Sequence, residues 1–359
     1  MHDGFVEMCR LIIRVSMVVF PLCLLFVLGA VLGPACESPF RMGEEVSGSA
    51  GSLIVYSGRS ETLVGPLIEQ FRDATGIDVS VKYGKTGEIA VILMEEGTNS
   101  RADVFFAQDP GGLGAVVNAG MFTKLPDDIL SLVPDWAESK DGLWVGISSR
   151  VRTLVYNNER MTQNELPDSL NGLTEPKWKG RVGWAPTNGS FQAMITAMRV
   201  IWGEPRTKEW LKGIQANEPK IYPKNTPQVA AVESGEIDVG LVNHYYLHRF
   251  LEEHGESFSA RNYHFRSDGP GSLVMVAGAG IIKTGKSRQN AERFLKFMLS
   301  RVGQQYFASQ TFEYPLVEGV TVNQLLTPLS EINQPGISMK QLADLEGTQK
   351  LLRDVGIIP

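Results

Sequence analysis

Leu53-Ile54-Val55-Tyr56-Ser57-Gly58-Arg59-Ser60-Glu61 sets a short apolar run directly before a glycine turn and a serine that can cap a helix. An apolar run of that length, bounded by turn residues, reads as a buried strand. Ser60 marks the start of a helix. Leu63, Leu67, Ile68 and Phe71 then fall on one helical face, and Gly76 supplies its end. Ile77 to Tyr83 alternates as a second strand, and Glu88 to Glu96 places Ile89, Ile92 and Leu93 at helical spacing. Val104-Phe105-Phe106 forms a third strand, followed by a short helix over Gly112 to Ala119. This βαβαβα order predicts an α/β protein whose sheet is mostly parallel, with helices on both faces.

The pattern resumes further on. Strands are predicted at Thr153 to Tyr156, Val182 to Trp184, Val239 to Val242 and Ser272 to Ala279. Helices are predicted at Phe191 to Trp202, Thr207 to Ile214, Arg288 to Leu299 and Val302 to Ser309. The β-rich segments Gly142 to Tyr156 and Leu273 to Ile282 are candidate crossings between two α/β lobes. Such a pair has a cleft at its mouth, and open α/β sheets bind ligands beyond the carboxyl ends of strands. The length of 359 residues is enough for about two domains.

The composition is 43% hydrophobic and 21% charged, ordinary for a globular chain, and excludes fibrous, low-complexity and multi-span membrane classes. The net charge of -6, without a basic run, argues against nucleic acid as a partner. Cys9, Cys23 and Cys36 all lie near the N-terminus. The rest of the chain therefore has no disulfide, thiolate metal site or cysteine nucleophile. Arg10 and Arg14 precede an uncharged stretch from Val15 to Gly33, closed by small residues up to Cys36. Residues 1–36 thus read as an export signal, with Cys36 similar to the lipidated cysteine of bacterial lipoproteins. Residues 37–52, rich in Gly and Ser, read as a flexible tether. A cleaved, lipid-anchored, extracytoplasmic protein is preferred over an uncleaved anchor helix. Such a two-lobed protein is expected to bind a solute and close like a hinge.

Four loops follow strands. Ser57 to Glu61 offers backbone N–H groups and the Arg59 cation to an anion. Gln108 to Gly112 is a turn before a helix, where Asp109 reads as a cap. Pro186-Thr187-Asn188-Gly189-Ser190 places the neutral donors Asn188 and Ser190 at a helix start. Asn243-His244-Tyr245-Tyr246 sets adjacent phenols at a strand end, where the demand for packing falls. Phenolate is a hard oxygen donor suited to a hard, highly charged ion, and such an ion drives off the phenolic proton. His244 and His248 share a helical face, which reads as a polar helix surface beside Arg249 and Glu252.

Tyr245-Tyr246, with Asn243 two places before, resembles the ferric-ion-binding proteins of bacterial iron-uptake ABC transporters, the bacterial transferrins. The resemblance runs from Leu53 to the C-terminal helices. Its further elements are Val55 to Glu61, the loop Ala185 to Phe191, and Asn225 at the head of Asn225-Thr226-Pro227-Gln228-Val229. It implies a two-lobed type II periplasmic-binding fold with a hinge and an interlobe cleft. The lobes are expected at 53–151 plus 276–326 and at 152–275 plus 327–359. It further implies iron(III) on Tyr245 and Tyr246, with phosphate or carbonate as synergistic anion. Gln108, Asn188, Gly189, Ser190, Asn225 and Asn243 are the expected anion-binding residues. Where several members carry a His and a Glu as further ligands, this chain has Ser60 and Ala107. Arg59 and Ser60 are therefore expected to hold anion in place of a missing ligand, with Glu61 and Asp109 as possible replacement carboxylates. The expected partners are an ABC permease with its ATPase, and the expected state is a monomer.

Two other readings compete. A binder of a phosphate ester, phosphonate or other small anion would use the same loops but has no need of a phenolate pair. An anchored hydrolase is disfavoured, because the chain has no Gly-x-Ser-x-Gly elbow and no His-Glu-x-x-His.

Overall fold

The computed structural model describes residues 50–359. The leader 1–36 with Cys36, and residues 37–49 of the tether, lie outside the described residues. The first half alternates as expected: β1 (Ser52–Ser57), α1 (Glu61–Thr75), β2 (Asp78–Tyr83), α2 (Thr86–Glu96), β3 (Val104–Ala107) and α3 (Pro110–Asn118). In α1 the face carrying Leu63, Leu67, Ile68 and Phe71 is buried. Gly76 closes the helix with φ 68°, in the left-handed region that glycine enters without a Cβ penalty. A one-turn α4 (Asp127–Leu130) precedes the long β4 (Val145–Asn157).

The chain continues through β5 (Val182–Trp184), α5 (Gly189–Trp202), α6 (Glu204–Ala216), β6 (Lys220–Ile221), α7 (Asn225–Glu233), β7 (Val239–Asn243), α8 (Tyr245–His254) and β8 (Ala260–Tyr263). It ends with β9 (Val274–Ile281), α9 (Arg288–Met298), α10 (Arg301–Gln310) and α11 (Leu345–Asp354). Among the described residues no helix is long and apolar enough to cross a membrane.

The sheet runs β2-β1-β3-β9-β4-β7-β5-β6, with β8 also paired to β4. Its wings are parallel: β1 with β2 and β3, and β5 with β6 and β7. Its centre is not, which corrects the mostly parallel expectation there. β9 is antiparallel to β3 and β4, and β4 is antiparallel to β7. The physical reason is that the chain passes from one wing to the other along β4 and returns along β9. All of β4 is buried. Its first half, Val145 to Val151, pairs with β9, and its second half, Arg152 to Tyr156, pairs with β7.

Apolar side chains gather in separate clusters on the two wings. One holds Val55, Phe71, Phe105 and Phe294. A second holds Trp178, Trp184, Phe191 and Trp210, and a third holds Val229, Val232 and Leu247. Segment 327–359 is divided between them: Ile332, Met339 and Leu342 pack in the first cluster, Leu351 and Leu352 in the second. Tyr245, at the start of α8, packs in the first cluster, although its own helix places Leu247 in the third.

Candidate functional site

β7 ends at Asn243 and α8 opens at Tyr245, so the paired tyrosines occupy the first turn of a helix at the carboxyl end of an inner strand. Their rings lie 4.3 Å apart, tilted by 31°. Tyr245 is 0% exposed, and its hydroxyl has no hydrogen-bond partner. Tyr246 is half-buried. A buried hydroxyl ordinarily finds a partner, because leaving it bare costs about 1–3 kcal/mol. Burial pushes the Tyr245 phenol well above its ordinary pKa and Tyr246 adds to this, while Arg59 and Arg150 work the other way.

Those arginines form a buried cationic wall. Arg150 and Arg152 alternate along β4 and so face the same side of the sheet. Both are 0% exposed, as is Arg59 from the β1–α1 loop. Arg59 is clamped by Glu313, with Nη1 and Nη2 donating at 2.8 and 2.6 Å. Arg150 donates Nη2 to the Val276 carbonyl at 3.4 Å, and its Nη1 lies 3.9 Å from Glu313. Arg152 pairs in register with Asn243 and donates Nη1 to Asn243 Oδ1 at 2.9 Å. Burial works against the charge of Arg59, but Glu313 raises its pKa above the ordinary arginine value. Burial pushes Arg152 down to about 9, opposed by Tyr246 and Tyr245, so it remains a cation at neutral pH. Arg59 Nε, Arg150 Nε and Nη1, and Arg152 Nε and Nη2 are buried without a hydrogen-bond partner.

A polar chain joins the wings beside this wall. Ser190 Oγ, in the first turn of α5, accepts from Gln108 Nε2 and from Asn243 Nδ2, both at 3.2 Å. Asn188 caps α5, its Oδ1 accepting from the N–H groups of Ser190 and Phe191 at 3.1 and 3.3 Å. Gly189 packs so closely on the Asp109 carboxylate that a Cβ there would overlap it. Asp109 in turn caps α3 by accepting from the Gly112 N–H at 3.0 Å. Burial raises the Asp109 pKa. Asn225 is 0% exposed; Gln228 donates to its Oδ1, and its Nδ2 has no partner.

The structure therefore brings Gln108, Ser190 and Asn243 into one hydrogen-bonded chain, and Arg59, Tyr245 and Tyr246 into one electrostatic cluster. Ser60 joins neither by a hydrogen bond: it is exposed, with its hydroxyl 3.4 Å from Thr62 Oγ1. Arg150, Arg152 and Glu313 were missed by sequence reasoning. Two arginines at alternate positions beside an apolar run were the available signal for the first two. Glu313 had none, since its placement depends on Phe312, whose φ of 55° is rare for a bulky residue.

The polar-surface reading of His244 and His248 is corrected. They are 1% and 7% exposed, because α8 packs that face against the segment around Phe312. His244 Nδ1 accepts from the Val151 N–H at 3.2 Å and Nε2 lies 2.7 Å from the Phe312 carbonyl, so the proton belongs on Nε2. Among the described residues, no three His, Cys, Asp or Glu side chains gather to hold a metal ion.

The profile of a family described as bacterial extracellular solute-binding protein matches residues 99–335. The chain is 33% identical over 311 residues to the major ferric iron-binding protein of Neisseria meningitidis serogroup B, covering 85% of this chain and 93% of that one. It is 30% identical over 333 residues to the Fe(3+)-binding periplasmic protein of Serratia marcescens, covering 92% and 98%. The crystal structure of iron-bound HitA from Pseudomonas aeruginosa matches with a TM-score of 0.82 at 35% identity, covering 85% of this chain and 99% of that one.

Proposed function

We infer that this chain, which belongs to the bacterial extracellular solute-binding proteins and has their type II periplasmic-binding fold, captures ferric ion outside the cytoplasm and delivers it to an ABC permease. The observation that carries this reading is the bare Tyr245 hydroxyl, fully buried beside Tyr246 under a wall of arginines. Relatives named for ferric iron binding cover most of the chain and support it.

Tyr245 and Tyr246 act as phenolate ligands. Ionising a free phenol at neutral pH costs about 4 kcal/mol, at 1.36 kcal/mol per unit over roughly three units. A trivalent cation offsets that twice far more readily than a divalent one. Phosphate or carbonate completes the shell, held by Gln108, Asn188, Gly189, Ser190, Asn225 and Asn243, with the Arg59 charge behind it. The cleft lies between lobes that meet along β4 and β9, and ligand contact with both favours the closed state. No catalytic step is assigned to the cleft, and the protein acts as a monomer. Cys36 carries a lipid anchor, so Cys36→Ala releases the protein from the membrane; retention with an intact N-terminus would point to an uncleaved helix instead.

The decisive experiment is a visible spectrum of the purified protein with ferric salt and phosphate or carbonate. A phenolate-to-iron charge-transfer band is expected, and Tyr245→Phe or Tyr246→Phe abolishes it with thermal stability retained. Wild-type-like iron binding in both variants defeats the assignment. A colourless wild-type protein that binds a phosphate ester supports the small-anion reading instead.

A further inference from the structure

Away from the paired tyrosines, α8 faces a second cavity, of about 430 Å³. His244, Leu247, His248 and Leu251 recur at i, i+3, i+4 and i+7, so one stripe running from the N-cap along α8 lines it. Asn262 of β8, the following His264, Tyr156 of β4 and Tyr314 supply the facing walls. Tyr245 and Tyr246 take no part in this lining; Tyr246 borders a separate cavity with Arg249 and Phe250.

Three polar side chains of this lining keep a buried atom without a hydrogen-bond partner: His248 Nδ1, His264 Nδ1 and Asn262 Oδ1. Buried polar atoms ordinarily find one. His248 is 7% exposed, and its ring is held by stacking on Phe312, with centroids 5.2 Å apart and planes 22° apart. Asn262 Nδ2 donates to the His244 carbonyl at 2.8 Å, which fixes the amide beside the first turn of α8. Asn262 and His264 are two positions apart on an extended segment and so face the same side. His244 has no nitrogen to offer, since both are engaged with Val151 and Phe312. The charged lining residues, Glu256 and Arg261, are ion-paired at 3.0 Å and cancel one another.

An amide oxygen can only accept, and a neutral imidazole offers one lone pair. Burial keeps both imidazoles neutral at pH 7. A cation satisfies all three groups at once, whereas an anion meets the bare Asn262 oxygen. We propose that this cavity is a second metal site, in which His248, His264 and Asn262 hold one borderline divalent cation of the zinc or nickel class. The donor set is two imidazoles and an amide oxygen, not three His, Cys, Asp or Glu side chains, and water completes a four-coordinate shell. Imidazole suits borderline divalent ions, while hard ions such as magnesium prefer oxygen alone. The site stands independently of the ferric reading, which uses other side chains on another face of α8.

The test is calorimetric titration of the untagged full chain with Zn(II) and, separately, Mg(II). Wild type is expected to show a Zn(II) site and no matching heat with Mg(II). His264→Gln and His248→Gln are each expected to weaken that site by about tenfold or more, while Tyr246→Phe leaves it within about twofold of wild type. Zn(II) is also expected to raise the thermal midpoint of wild type and not that of His264→Gln. Nitrogen NMR of the wild-type histidines needs no variant to fold: two imidazoles are expected to shift together as Zn(II) is added. Undiminished Zn(II) binding in both glutamine variants, its loss in Tyr246→Phe, or imidazoles that do not respond to Zn(II) overturns the proposal.

Discussion

Arg59 donates to both oxygens of Glu313, and Thr311 Oγ1 adds a third hydrogen bond to that carboxylate at 3.0 Å. Neither charged side chain is exposed, so each makes the burial of the other tolerable. Glu313→Gln keeps the shape and removes the charge, leaving Arg59 buried opposite a neutral amide and facing Arg150. Removing one member of such a pair costs about 3–5 kcal/mol. Urea unfolding of Glu313→Gln is expected to show a loss of that order, and the double variant Arg59→Met/Glu313→Leu a much smaller one. A loss under about 1 kcal/mol in the single variant would mean that water reaches the pair. The sequence pointed to Arg59 as an anion donor from its loop; it gave no sign that a glutamate 254 positions away would take both of its terminal nitrogens.

At the scale of elements, the starts of α3 and α5 meet. Asp109 caps α3, and the first residue of α5, Gly189, lies against the same carboxylate. The glycine is required by this approach and not by its backbone angle. Gly189→Ala drives a Cβ into a carboxylate already fixed by the Gly112 N–H, an overpacking expected to cost about 1–3 kcal/mol. Asp109→Ala removes the cap at about 1 kcal/mol. The double variant Gly189→Ala/Asp109→Ala is expected to be clearly less destabilised than the sum, since the deleted carboxylate is what the new methyl strikes. Thermal unfolding of the three proteins checks this, and strict additivity would place the clash elsewhere. Pro186 to Ser190 was legible as a strand-to-helix turn from its residue types. That the turn docks on Asp109 was not, because the two loops belong to different wings of the sheet.

For the whole molecule, one buried and one half-buried histidine contribute to the acid limb of stability. Burial pushes His248 and His264 from 6.5 down to about 4. The unfolded chain takes up protons near 6.5 and the folded chain only near 4, so this stability is complete above about 6.5 and is lost as pH falls toward 4. At 1.36 kcal/mol per unit, each group accounts for about 3 kcal/mol. Asp109, raised by burial, has the opposite sign, so the histidine share is read by difference. His264→Gln is expected to flatten the loss between pH 6.5 and 4 in denaturant titrations; an unchanged slope would mean that His264 is solvated in the native state. Local chemistry was enough to read the α/β alternation, the strand-end position of Tyr245 and Tyr246, and the polar loops around Gln108, Ser190 and Asn243. Period, capping and turn preference are properties of neighbouring residues, and they survive any tertiary arrangement. The antiparallel centre of the sheet, the burial of His244 and His248, the bare Tyr245 hydroxyl and the charge cluster of Arg59, Arg150, Arg152 and Glu313 were decided only when the chain closed on itself. Each depends on which distant side chains displace water from the same volume, and the burial of polar side chains, unlike that of an apolar helical or strand face, leaves no mark on the spacing of residues along the chain.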